Sequence, residues 1–216
     1  MTQVLQFIQS LPSPIAQGFI WGIMAIGVYI TYKILDLADL TVDGSFATGG
    51  AVLVVLTTKG VNIYLALLIA FATGCLAGLV TGIFHTKFGI PAILAGILTQ
   101  LALYSINLRI MSGKANTSIS KRNFNLIITS SADELGRTIL VCAIFVAVLI
   151  GVLYWFFGTE LGNSIRATGC NQAMARANGI NTDSRKIIGL ILSNGIVAMS
   201  GALLAQFNGC ADINMG

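Results

Sequence analysis

Six long apolar stretches, at 15–34, 40–56, 61–84, 90–111, 138–157 and 187–207, leave this chain few folds to choose from. A helix needs about 20 such residues to cross the ~30 Å hydrocarbon layer of a bilayer, and each stretch comes close to that length or exceeds it. Their apolarity is continuous, whereas a barrel strand would alternate lipid-facing and lumen-facing residues, so they predict helices. Only 9% of residues are charged and 56% are hydrophobic, against the roughly one-quarter charged residues of a soluble domain. The expected fold is all-α: a polytopic integral membrane helix bundle in the lipid bilayer, built as one transmembrane domain over 1–216. Residues 1–17 contain no Lys or Arg, and the first stretch is longer than the apolar core of a secretion signal, so it reads as a retained span. Residues 1–9 read as a short interfacial helix, interrupted by Pro12 and Pro14.

The polar residues exclude several functions. The net charge is +4, but the basic residues are spread over short loops with no aromatic-interleaved basic face, which argues against nucleic acid as a partner. Placing the 161–182 segment inside puts Lys33, Lys87, Arg166, Arg176, Arg185 and Lys186 inside, against Lys59, Arg109, Lys114, Lys121, Arg122 and Arg137 outside. The sides tie, so the distribution of basic residues does not orient the chain. Cys75, Cys142, Cys170 and Cys210 are scattered, and His85 stands alone beside Lys87, so neither disulfides nor a metal site is expected. No Walker-type loop, HExxH or GxSxG occurs, so no catalytic residue and no cofactor bound by this chain is expected. Energy for any transport must come from a partner or an ion gradient.

Small residues recur along the apolar stretches. Gly74, Gly78 and Gly82 repeat every four residues in the third, giving that helix a flat face able to touch a neighbour's backbone. Gly18 and Gly22 repeat the pattern in the first stretch, and Gly201, Ala205 and Gly209 in the sixth. Tight helix packing accounts for all of them without any transport role.

The 36–50 segment is less ordinary. Asp36, Asp39 and Asp43 fall at spacings of three and four where the first span ends and the second begins, and acidic groups there are costly unless they meet water or a partner such as Lys33. Gly44, Gly49 and Gly50 weaken regular helix and predict a broken or re-entrant second segment, tolerated where it is buried in protein or lines a cavity. Two readings stand: a hydrated loop, or one wall of a translocation path. On the second, the path residues are Asp39, Asp43 and Ser45 with Gln100 and Asn107 of the fourth span, Asp43 best suiting a buried role because Thr41 and Ser45 flank it. For Gln100 and Asn107 interhelical hydrogen bonding is the default and pore lining the alternative, and Asn194, Gln206 and Asn208 invite the same two readings. The 112–137 loop, the longest polar stretch, suits contact with a soluble partner.

Between the fifth and sixth spans lies a polar island, 161–182. Asn171 is a good N-cap, 172–178 favours helix through three alanines and a methionine, and Gly179 can adopt the left-handed conformation that ends one. Ala173 and Ala177, four apart, give that short helix a smooth face.

The run Arg166-Ala-Thr-Gly169-Cys-Asn171-Gln-Ala173-Met-Ala-Arg176-Ala177-Asn-Gly179-Ile180 resembles the cytoplasmic coupling loop of ABC importer permeases of the branched-chain amino acid and ribose type. The Asp39-Leu-Thr-Val-Asp43-Gly-Ser-Phe segment is similar, more narrowly, to permeases of tryptophan or tyrosine uptake. The order of spans agrees over 18–216. The resemblance implies a coupling loop at 160–183 in which Arg166, Gly169, Asn171, Ala173, Arg176, Ala177 and Gly179 meet a cytoplasmic ABC ATPase that binds the ATP and Mg²⁺. It further implies a second permease copy in a homodimer, an extracytoplasmic solute-binding protein, and a place in the bacterial inner membrane. The solute it implies is an amino acid, aromatic or branched-chain. Because family members carry additional spans, it also implies a chain that is either C-terminally incomplete or a shortened relative. The rivals are an ion-coupled secondary transporter, disfavoured because the interiors of the third, fifth and sixth spans lack acids, and a structural or assembly protein without transport activity.

Overall fold

A computed structural model of the chain describes residues 12–119, 128 and 135–216; the expected interfacial helix at 1–9 and much of the 112–137 loop lie outside the described residues. Helix α1 (Pro12–Tyr29) runs into one wide π-helical turn (Ile30–Ile34), followed by α2 (Thr41–Thr58), α3 (Ile63–Thr86) and α4 (Ala92–Ile110). Strand β1 (Asn116–Ser118), α5 (Leu135–Gly158), α6 (Glu160–Cys170), α7 (Gln172–Ala177), α8 (Thr182–Asn208) and β2 (Cys210–Asp212) complete the order. Six of these helices are long and apolar enough to cross a membrane, and the protein is an all-α, multi-pass membrane bundle. Their ends lie close to those read from the sequence; the largest difference is the start of α8, at Thr182 rather than 187. Pro12 and Pro14 do not interrupt α1. They sit in its first turn, where a missing amide hydrogen leaves no bond unmade.

Helix α8 is the axis of the bundle, in contact with α1, α2 and α3. Buried residues make up 72% of its apolar stretch and 78% of that of α2, against 11% for α5, which among the described residues packs chiefly against α1 and α6. The outer face of α5, with Tyr154 and Trp155 exposed, is therefore left to lipid or to another protein. Serine hydroxyls fix the α1–α8 register: Ser193 Oγ donates to the Gly27 carbonyl and Ser200 Oγ to that of Ile20, both at 2.7 Å. The partners move seven residues along each helix in opposite senses, as antiparallel neighbours require.

Backbone approach sets the other two contacts of α8. A Cβ on Gly74 would meet Asn194, one on Gly78 the Leu190 carbonyl, and one on Gly82 would lie 3.2 Å from Ile187 Cα, so that flat face of α3 lies against α8. From α2, Gly49 abuts the Ala198 carbonyl, while Gly201 of α8 abuts that of Phe46. The expected break in the second segment is absent: α2 is continuous from Thr41 to Thr58. Each helical glycine costs about 1 kcal/mol relative to alanine, but here Gly49 lies against α8, a Cβ on Gly44 would stand 3.2 Å from Gln100 Cα of α4, and Gly50 faces Met215 and Ala205. The close contacts these glycines allow offset their helix-weakening tendency. Irregular backbone lies just before α2, over 35–40, where Asp36 has φ 56°.

The stretch that does re-enter the bundle is the one after α8. Gly209 ends α8 in the left-handed conformation (φ 72°), and Cys210–Asp212 pairs antiparallel with Asn116–Ser118. Residues 213–216 then turn back along α2, bringing Met215 to Gly50 and Gly216 to the Asp43 carbonyl. Gly18 and Gly22, expected to form a packing face, have nothing within 4 Å of where a Cβ would stand.

The two kinds of glycine separate experimentally. Gly78→Ala should lower stability by about 1–3 kcal/mol, because the new methyl meets backbone that cannot move aside. Gly18→Ala should leave stability unchanged or raise it slightly. Thermal unfolding of the two variants in the same detergent checks this, and equal midpoints would contradict the packing described.

Candidate functional sites

The polar island folds as a two-helix hairpin. The segment before Asn171, read from sequence only as polar chain, is an 11-residue amphipathic helix, α6. Thr159 caps it by accepting from Gly162 N–H at 3.4 Å, and Arg166 lies over the Phe157 ring at 5.2 Å, tying α6 to the end of α5. Gly169 presses on the carbonyl of Ile34 in the π turn, a contact that no residue with a Cβ could make. Helix α7 is capped at both ends: the Asn171 side chain accepts from Met174 N–H at 3.0 Å, and Gly179 (φ 78°) closes the other end. There Gly179 N–H donates to Arg176 O and Ile180 N–H to Ala175 O, both at 3.0 Å, the paired bonds of a Schellman motif. Ala173, Met174, Arg176 and Ala177 face solvent, while Ala175 is buried beneath them. Arg176 is not free: its Nε donates to Thr182 Oγ1 at 2.9 Å, and its Nη2 stands 3.6 Å from Asp183 Oδ1, bracing α7 against the start of α8.

The candidate path residues divide into two places. Asp39 and Ser45 join Asn194 of α8 in a buried cluster. Ser45 Oγ donates to Asn194 Oδ1 at 2.6 Å, and Asn194 Nδ2 donates to Asp39 Oδ2 at 2.7 Å. The other Asp39 oxygen accepts from Thr41 N–H at 2.8 Å, so one carboxylate both holds the first turn of α2 and ties it to α8. Beside this cluster, the hydroxyls of Thr41 and Thr81 share a hydrogen bond of 2.8 Å and Thr81 bonds Thr99 at 2.9 Å, linking α2, α3 and α4. A Cβ on Gly96 of α4 would lie 2.7 Å from the Leu40 nitrogen, so α4 packs closely against the start of α2. Sequence reading listed neither Thr81 nor Thr99. Their only local sign is a hydroxyl in an apolar stretch, four residues after a carbonyl that it can also bond.

Asp43, Gln100 and Asn107 come together elsewhere. With Tyr104 and Asn214 they line a cavity of about 170 Å³ between α2, α4 and the 213–216 return. Asp43 and Tyr104 are exposed and Gln100 is partly buried. Asn107 is 1% exposed, and neither its amide nitrogen nor its amide oxygen has a hydrogen-bond partner. Among the described residues no Lys or Arg lines the cavity. Neither Tyr104 nor the return was anticipated from the sequence.

The described residues form a six-span membrane bundle with a capped polar hairpin and a polar cavity among its helices, an architecture that suits a transport permease. The chain belongs to the family described as branched-chain amino acid transport system / permease component, whose model matches residues 12–216, and is thus of the ABC importer permease kind. It is 46% identical over 206 residues to the tyrosine transport system permease protein of Clostridioides difficile (strain R20291), covering 94% of this chain and 67% of that protein. It is 28% identical to the ribose import permease protein of Escherichia coli (strain K12), covering 91% and 61% of the two chains. It is 29% identical to the galactofuranose transporter permease protein of the same organism, covering 89% and 55%. The chain thus spans between 55% and 67% of the length of these relatives. No solved structure matches it.

Asn194 is the hub of the enclosed cluster. Asn194→Leu leaves Asp39 and Ser45 without their α8 partner, and should cost about 1–3 kcal/mol of stability. Asn194→Ser, which puts a hydroxyl in place of the carboxamide and so keeps a polar partner at the site, should cost less. Unfolding in detergent, with both variants beside wild type, measures the difference.

Proposed function

We propose that the chain is the membrane subunit of an ATP-driven importer and that the hairpin over 160–183 is the surface gripped by its cytoplasmic ATPase. One observation carries this reading. A short helix, capped at both ends, presents Ala173, Met174 and Ala177 to solvent, and the hairpin behind it seats backbone on backbone against the π turn through Gly169. Such a hairpin moves as a rigid body. A push on α7 displaces α6, hence Ile34 and Leu35, hence the 36–40 segment and the first turn of α2, which carries Asp43 into the cavity wall. Arg166 and Arg176 brace the hairpin from within, Asn171 and Gly179 fix its docking face, and the alanines keep that face smooth.

In this reading ATP and Mg²⁺ bind the partner ATPase, two permease copies pair, and an extracytoplasmic solute-binding protein delivers the cargo. The bilayer is the bacterial inner membrane, with the hairpin cytoplasmic. The name of the Clostridioides difficile relative favours an amino acid as solute, aromatic before branched-chain.

Co-purification from membranes tests the docking face. Ala173→Glu should reduce the bound ATPase by about tenfold, a loss of 1.4 kcal/mol, by burying an unpaired charge at the contact. Gly179→Val should keep the protein in the membrane but impair uptake, since a β-branched residue resists φ 78° and the α7 cap opens. Undiminished ATPase binding and uptake in both variants would remove the hairpin from the coupling role.

Sidedness has its own test. Cys170 is the exposed cysteine on the hairpin. In a variant keeping Cys170 alone, a membrane-impermeant thiol reagent should label it only after cells are permeabilised. Labelling in intact cells would put the hairpin on the wrong side for an ATP-driven motor.

A further inference from the structure

We infer that the cavity between α2, α4 and the 213–216 return is a recognition subsite for a protonated amine on the transported solute, with Asp43 as charge partner and Asn107 as buried hydrogen-bonding partner. This rests on the permease reading and adds to it which atoms read the cargo.

Asn107 supplies the first reason. A carboxamide 1% exposed with both polar atoms unbonded is costly to a helix in a membrane, by about 1–3 kcal/mol, and Asn107 borders the cavity. The neighbouring polar residue of the same helix, Ser105, is not left so; its hydroxyl reaches the Leu101 carbonyl. A buried polar group without a partner calls for an explanation, and at the edge of a cavity a bound solute is one that fits.

Charge supplies the second reason. Asp43 stands in the first turn of α2, where the helix N-terminus favours a negative group, and among the described residues no cation lines the same walls. A carboxylate set in such surroundings repels anionic solutes and leaves neutral ones to bind without a counter-charge. A primary ammonium satisfies it. The same solute can then place an acceptor or donor against the carboxamides of Gln100 and Asn107, which offer both roles. The exposed ring of Tyr104 gives an apolar wall for the remainder. Gly44 and Gly216, close to backbone, keep the α2 and return sides of the cavity tight.

The test uses the intact transporter, permease with its ATPase and binding protein, and measures initial uptake of labelled tyrosine, leucine and ribose by wild type. For an amine-bearing probe that is carried, Asp43→Asn and Asn107→Leu should each lower kcat/KM by about tenfold or more at unchanged membrane levels. Asp43→Glu should recover much of the loss, and thermal unfolding of Asn107→Leu should match or exceed wild type because the orphaned amide is gone. Three results overturn the subsite while leaving the permease reading intact: uptake of the amine-bearing probe unchanged in both variants, as when Asn107 only holds water; wild-type uptake confined to ribose; or equal loss in Asp43→Asn and Asp43→Glu. Wild-type uptake of none of the probes, with the ATPase failing to co-purify, overturns the permease reading itself.

Discussion

Close backbone contact between α8 and its neighbours is the interaction on which this bundle depends. Within a bilayer, apolar side chains gain nothing by leaving lipid for protein, so helices associate through tight van der Waals packing and the few hydrogen bonds they can share. Here glycines of α2 and α3 reach the backbone of α8 at Leu190, Asn194 and Ala198, and Gly201 reaches back to Phe46. Closeness at these points allows short polar side chains to bridge helices, because serine and asparagine reach a partner only when backbones nearly touch. The Ser193 and Ser200 bonds to α1 and the Asn194 bonds to α2 are consequences of that packing.

The same closeness explains why a carboxylate survives beside the start of α2. Asp39 is partly buried, yet both oxygens accept hydrogen bonds, one from the α2 backbone and one from Asn194. Its charge thus meets the exposed amides of a helix N-terminus, where a negative group is favoured. The chain needs such an anchor because α1 has already left regular helix at the π turn and the backbone at Asp36 is left-handed. With the Thr41–Thr81–Thr99 hydroxyls, this anchor sets the position of the first turn of α2, and with it Asp43, against α4.

Much of this was legible in the sequence, and the parts that were not share one cause. Continuous apolarity gave the six spans, and the caps of α7 could be read because Asn171 and Gly179 act on neighbours a few residues away. Helix α6 was hidden because its seat, Gly169 on Ile34 and Arg166 over Phe157, belongs to tertiary structure. Glycines in α2 read as a break because their helix-weakening effect is local, whereas the compensating contacts come from distant α4 and α8. Asp43 and Ser45 were grouped by adjacency, yet two residues on a helix point about 200° apart, sending one to the cavity and the other to α8. Gly18 and Gly22 carry the same spacing as Gly74, Gly78 and Gly82 but lie in the open, because such a pattern permits a close neighbour without supplying one.

The placement of the π turn connects these observations to function. A turn closed by a bond five residues back, Leu35 N–H to Ile30 O at 3.1 Å, is wider and less well packed than α-helix, and such turns recur where proteins must move. In this chain it lies between two rigid attachments: Gly169 presses on its last carbonyl from the hairpin side, and Leu35, the next residue, packs its side chain against Gly189 of α8. In the proposed coupling role, motion of the hairpin would reach α2 through a segment already outside regular helix. Had α1 continued as unbroken helix into α2, the push would have had to move both spans against α8, at the cost of the serine and glycine contacts that hold the bundle. On that proposal the displacement would fall on the first turn of α2, which forms one wall of the cavity and is tied to α8 through Asp39 and Asn194.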